Sequence, residues 1–99
     1  MENRSAFGSI KTFQKSQCVF EENTLGDAMY ILRRGKVKIA LGGEDGVEVG
    51  TVEQSGDFFG EMAIIAGSLR SATAIAAEDD TELEALDRDG FLAMMKAGH

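Results

Sequence analysis

The stretch "GKVKIALGG", Gly35 to Gly43, decides the fold class. Val37, Ile39 and Leu41 alternate with Lys36, Lys38 and Ala40, the period-2 pattern of a strand with one buried face, and glycines punctuate both ends. Shorter runs on either side read the same way: "QCVFEE" (17–22), "AMYILRR" (28–34), "VEVGTVE" (47–53), "SATAIAAE" (71–78) and "TELEAL" (81–86). The segments between them, "NTLGD", "GGEDG", "QSGD" and "EDD", are turn chemistry. About seven short strands joined by short turns predict a mainly β fold, a double-stranded β-helix or jelly-roll barrel.

Two segments carry a helical pattern. Residues 88–97, with Asp87 or Asp89 as cap, put Phe91, Met94 and Met95 at i, i+3, i+4 spacing, a stripe suited to packing on the barrel. Residues 61–66, bounded by Gly60 and Gly67, form a short helix. Residues 2–9 add a terminal helical turn, with Gly8 working against it.

Ninety-nine residues make one domain, 1–99, able to bury one core. The 43% hydrophobic content, spread along the chain, separates it from disordered sequences. The longest uncharged run, Met62 to Leu69, falls far short of the roughly 18 apolar residues that span a bilayer, and no signal-peptide core opens the chain. The expected location is cytoplasmic, with no membrane segment in this chain. A single cysteine, Cys18, fits a reducing compartment, and its strand-like flanks make it a buried small hydrophobe.

Seventeen acidic against ten basic residues leave a formal net charge of −7, which argues against a phosphate-binding face for nucleic acid. Lys36 and Lys38 are then a solvated strand face. No metal is expected: the only histidine is His99, so neither a histidine-lined metal barrel nor a Ser-His-Asp or Cys-His arrangement can be built. Glu78, Asp79, Asp80 and Glu82 sit between two strands and read as a solvated turn. No catalytic residue is assigned and the chain is not read as an enzyme.

The chemistry concentrates in "GDFFGEMAIIAGSLRSATA", Gly56 to Ala74. A short helix between glycines presents unpaired backbone N–H groups, which bind anions. Arg70, at the far end of the segment, adds a forked donor suited to phosphate oxygens. Glu61 is anomalous beside a phosphate unless it accepts a hydrogen bond from elsewhere on the ligand, and a sugar hydroxyl would serve. The competing reading is plain: Glu61 and Arg70 pair with each other across a surface loop, a contact worth at most about 1 kcal/mol.

This segment resembles the phosphate-binding cassette of cyclic nucleotide-binding domains: Phe-Gly-Glu, apolar residues with Ala, then Arg, a small residue and Ala. The resemblance extends through "LGDAMYILRRGKVKIAL" and "ELEALDRDGFLAMM", covering about residues 10–97. It implies a regulatory or sensor module with no cofactor, whose ligand is cAMP more than cGMP. Glu61 would meet the ribose 2′-OH and Arg70 the cyclic phosphate. Backbone donors would come from Met62 or Ala63 and from Ser71 or Ala72, with Gly60 allowing close approach. Ile39, Val49 and Thr51 are the expected base pocket, and the Ser71 hydroxyl could also serve a guanine.

The chain departs from the family pattern in three places. Leu69 stands where a proline is common before the arginine, and Asn23 where a glycine is common, Asn tolerating a left-handed backbone nearly as well. The family usually caps its base with a further C-terminal helix. One helix follows the strands here, so the resemblance implies a lid from further chain or an effector domain, a lid from a partner protein, or an exposed base. Two other classes remain: a ligand-free relative used for protein contacts, and a cupin-type enzyme on a similar barrel.

Overall fold

Met29, Tyr30, Ile31 and Leu32 are four apolar residues in a row, and each is buried. In the computed structural model, which describes residues 4–43 and 45–98, they open the strand Met29–Arg34 at the centre of the molecule. The elements in chain order are β1 (Ser9–Phe13), β2 (Cys18–Phe20), β3 (Met29–Arg34), β4 (Val37–Leu41), β5 (Val47–Val52), β6 (Phe58–Phe59), α1 (Met62–Ile65), β7 (Thr73–Ala76), β8 (Thr81–Leu86) and α2 (Arg88–Lys96). Two four-stranded antiparallel sheets, ordered β1-β8-β3-β6 and β2-β7-β4-β5, make a mainly β jelly roll.

Strand β3 loses its alternation because both of its faces are covered. Tyr30 and Leu32 point between the sheets with Val37, Phe59, Ala74, Leu83 and Ala85. Met29 and Ile31 point outward with Leu86 and meet Ile64 of α1 and, more peripherally, Phe7, Phe91 and Met94. One strand therefore backs the inter-sheet core and seats both helices. Helix α2 is capped by Asp87, whose side chain accepts from Gly90 N at 2.8 Å. Its Phe91 and Met94 pack, whereas Met95 is 52% exposed, so the expected stripe is narrower by one residue.

The structure corrects the sequence reading at several points. Alternation in β4 ends early: Ala40 is buried and Leu41 exposed. The ladder with β5 slips there, Ile39 facing Gly50 but Ala40 facing Glu48, which leaves Val49 as the extra, outward residue of a bulge. Residues 4–9 form no helical turn. Arg4 bridges back to Ser9, and β1 follows, paired to β8; residues 2 and 3 lie outside the described residues. Cys18 is exposed, because β2 is an edge strand whose register on β7 shifts between Cys18 and Phe20.

The acidic turn is solvated, as expected, and also braces its neighbours. Asp79 accepts from Lys15 N at 2.9 Å, Asp80 from Gln14 Nε2 at 3.2 Å, and Glu78 lies 3.8 Å from Lys36 Nζ. Asn23 adopts the left-handed backbone, φ 65°, that its place in the turn requires. A buried carboxylate that the sequence does not flag, Glu84, pairs with Arg33 on the outer face of β8. No described helix is long and apolar enough to cross a membrane.

Candidate functional site

The chain leaves β6 at Phe59, turns at Gly60 with φ 76°, and enters α1 through Glu61. Glu61 is the N-cap residue by position but its side chain makes no capping bond, so the carboxylate is not consumed by the helix. Glu61 O takes the N–H groups of Ile64 and Ile65. Ala63 and Ile64 are buried and anchor the short helix, which leaves Met62, Ile65 and Leu69 exposed around it. The N–H groups of Met62, Ala63, Ser71 and Ala72 find no acceptor among the described residues.

Arg70 is 5% exposed, and its surroundings account for every side of the guanidinium. Nη1 donates to Gly60 O at 2.7 Å and Nη2 to Ala28 O at 2.6 Å. The Phe20 ring lies against the guanidinium, Cζ standing 4.1 Å from its centroid, and the Tyr30 ring is 6.0 Å away. Nε is buried without a partner. Among the described residues no carboxylate reaches ion-pair distance. Burial pulls the Arg70 pKa below the ordinary arginine value, with Tyr30 and Asp27 opposing. Burial likewise raises the Tyr30 pKa, opposed by the Arg70 charge.

Two glycines make the slot. A Cβ on Gly60 would lie 2.8 Å from Arg70 Nη1 and 3.0 Å from Phe20 Cε2; one on Gly26 would lie 2.5 Å from Arg70 Cζ, Arg70 Nε and Ala63 Cβ. The backbone of Arg70 is also held, its N donating to Thr24 O at 2.8 Å and its O accepting from Asn23 N at 2.7 Å. The arginine is thus tied to the β2–β3 turn at both ends.

A cavity of about 400 Å³ opens beside it, lined by Phe20, Ile39, Phe59, Gly60, Glu61, Met62, Ala63, Ser68, Leu69, Arg70, Ser71 and Ala72. It lies within the size range of small-ligand sites. All seven cassette residues expected from the sequence, Gly60, Glu61, Met62, Ala63, Arg70, Ser71 and Ala72, share this wall, and so does Ile39. Val49 and Thr51 do not. Thr51 pairs with Lys38 on the opposite face of β5 from Gly50, and Val49 is the bulge residue, so of the three expected base-pocket residues Ile39 is the one on this wall. Phe20 and Gly26 are the residues the sequence reading missed; each acts through tertiary contact that no local pattern marks, whereas Phe59 is the aromatic residue of the Phe-Gly-Glu motif itself.

Cavity size alone does not select this site. A cavity of about 380 Å³ near Cys18 is lined by Glu21 and Glu22 and no cation. One of about 430 Å³ beside the start of α2 presents Asp27, Asp87 and Asp89, and its Arg88 already donates through Nη2 to Ile64 O. The cassette cavity is the one that combines a buried cation, an uncommitted carboxylate, open backbone donors and an apolar wall. Glu61 and Arg70 do not pair with each other, which removes the surface-loop reading. No three His, Cys, Asp or Glu side chains converge on a metal geometry among the described residues.

Comparison with known proteins bears on the same segment. A family model described as the cyclic nucleotide-binding domain matches residues 10–97. Human cGMP-dependent protein kinase 2 is 33% identical over 84 residues, which cover 83% of this chain and 11% of the kinase. The cyclic AMP receptor protein of Thermus thermophilus is 35% identical over 89 residues, covering 87% of this chain and 40% of that protein. The crystal structure of Thermus thermophilus catabolite activator protein superposes with a TM-score of 0.80 at 32% identity, over 93% of this chain and 43% of that one. The chain thus spans well under half the length of these relatives.

Proposed function

Because the chain belongs to the cyclic nucleotide-binding domain family, we propose that it is a regulatory module that binds one cyclic nucleotide, cAMP in preference to cGMP, in the cassette cavity. The observation that carries this reading is Arg70: a buried cation with no carboxylate to neutralise it and with Nε–H unpaired, on the wall of a cavity that also holds Glu61. Burying such a charge is costly unless a ligand anion or strong hydrogen bonds offset it.

In this assignment the singly charged cyclic phosphate neutralises Arg70 and is held by the open N–H groups of Met62, Ala63, Ser71 and Ala72. Both Nη groups already donate to carbonyls, and Nε–H is buried and unpaired, so Nε–H is the donor that a phosphate oxygen reaching the slot would satisfy. Glu61 accepts from the ribose 2′-OH. Ile39 supplies apolar wall for the base. The preference for cAMP is the finer part of the proposal, since the Ser71 hydroxyl offers a guanine one polar contact. The module binds rather than transforms its ligand, and it works on an effector that the cassette's position reports to.

Thermal unfolding with cAMP, cGMP and 5′-AMP tests the reading. A ligand at about 100 times its Kd adds about 2.7 kcal/mol to the folded state. For a domain of this size that is a rise of roughly 10–20 °C. The expected order is cAMP, then cGMP, then AMP far behind, because AMP brings a second phosphate charge and lacks the cyclic phosphodiester. Equal stabilisation by AMP would sink the cyclic-phosphate assignment, and no stabilisation by any of the three would sink the binding reading itself.

A further inference from the structure

The Phe20 ring touches the face of the Arg70 guanidinium, and the two edges of that plane are clamped by Gly60 O and Ala28 O. Phe20 is half-buried and belongs to an aromatic group: its centroid is 6.0 Å from those of Tyr30 and Phe59, and Tyr30 stacks on Phe59 at 5.6 Å. Gly26 and Gly60 pack their backbones closely around the guanidinium, with no room for a side chain at either position. Two carbonyls fix the rotation of the guanidinium in its plane. Neither fixes the tilt of the plane itself, and a ring face in contact does. The ring quadrupole also places negative potential against a cation that has no carboxylate at ion-pair distance among the described residues.

We propose that Phe20 is the positioning residue for Arg70: its ring sets the tilt of the guanidinium and stabilises its charge, so that the unpaired Nε–H is held for the anionic part of the ligand. This rests on the cyclic-nucleotide reading, and assigns to that site a residue on a different strand, outside the cassette. A leucine at position 20 can fill the space, but it has no quadrupole. The role is therefore electrostatic as well as steric, and separable from core packing.

The full chain is prepared with Phe20 replaced by phenylalanine carrying one, two and three ring fluorines, and as Phe20→Leu and Phe20→Tyr, and each is titrated with cAMP. Fluorination drains the ring face while nearly keeping its shape. The expected result is a stepwise rise in Kd with fluorine count, reaching about 3- to 30-fold, the span of partly to well desolvated cation–π contacts. Phe20→Leu loses as much, and Phe20→Tyr binds as the parent. Fluorinated proteins that bind like the parent would overturn the proposal, leaving Phe20 as a space filler, as would an unchanged Phe20→Leu. Proton NMR of the protein without nucleotide checks the stack independently: ring current shifts the Arg70 side-chain protons upfield, and Phe20→Leu removes most of the shift, leaving the smaller part due to the more distant Tyr30 ring. Absence of the shift in the parent overturns the stack whatever the ligand. If the shift is present but neither cAMP nor cGMP binds, the cyclic-nucleotide reading fails and the positioning role is withdrawn with it.

Discussion

Gly26→Ala adds one methyl group at the tightest point of the Arg70 slot. Its Cβ would stand 2.5 Å from Arg70 Cζ, from Arg70 Nε and from Ala63 Cβ. Favourable carbon contacts begin at about 3.5 Å, so the neighbours must retreat by about 1 Å. Gly26 is not among the positive-φ residues, so the penalty is steric rather than conformational. Neither neighbour yields freely: Ala63 is buried in α1, and Arg70 is bound to two carbonyls and stacked on Phe20. Overpacking of this kind costs about 1–3 kcal/mol. At about 4–8 °C per kcal/mol for a domain of this length, Tm falls by roughly 4–24 °C. If Arg70 is the group that moves, a charge-assisted hydrogen bond to the ligand, about 1.5–3 kcal/mol, is weakened or lost, and cAMP affinity falls by about 10- to 100-fold. Circular dichroism melting and titration calorimetry read the two effects. Leucine lacks Cζ and Nε, so Gly26→Ala should cost less stability in an Arg70→Leu background. A Gly26→Ala protein that melts and binds as the parent does would refute the slot.

Two further expectations follow from the same site. Arg70→Leu leaves the ligand anion without its charged donor and should weaken cAMP by about 2–4 kcal/mol; Arg70→Lys should recover only part of this in calorimetry, since an ammonium cannot hold both carbonyls and the ligand in one plane. Tyr30 is the only tyrosine and the chain has no tryptophan, so ultraviolet titration of phenolate reports it alone. Burial raises its folded pKa, which places the midpoint above the ordinary value of about 10. The stability tied to this group is intact below the unfolded pKa and is lost as pH rises towards the folded one, because the unfolded chain releases the proton first. Tyr30→Phe should therefore flatten the alkaline fall in Tm, and a midpoint at or below the ordinary value would contradict the desolvation of the Tyr30 side chain.

The parts of the fold legible in the sequence are those whose residues face one environment. Val37 and Ile39 alternate with lysines because β4 has one wet face, and Asp87 announces α2 because a cap is a local device. The rest depends on contacts between distant segments. Strand β1, "SIKTF", carries weak alternation and owes its place to pairing with β8. Cys18 looks buried from its flanks, yet lies on an edge strand that no local pattern identifies. The slip that turns Leu41 outward and leaves Val49 unpaired is a property of the β4–β5 ladder, which no local pattern in either strand announces. Glu61 and Arg70 are legible through a compact motif. The means by which Arg70 is held is not: Phe20, Gly26 and Ala28 reach it from β2 and from the turn into β3.

The central claim is that Glu61 and Arg70 read two ends of one ribose phosphate, and a cycle over protein and ligand tests it most directly. Titration calorimetry is run on the parent and on Glu61→Gln, each with cAMP and with 2′-deoxy-cAMP. If Glu61 accepts from the 2′-OH, Glu61→Gln weakens cAMP by about 1–3 kcal/mol. It barely changes the deoxy ligand, which has no hydroxyl to lose and already binds the parent poorly, so the coupling energy isolates this one contact. An equal penalty on both ligands would mean that the carboxylate acts through the cassette's fold, and the ribose assignment would be withdrawn even though cAMP binds.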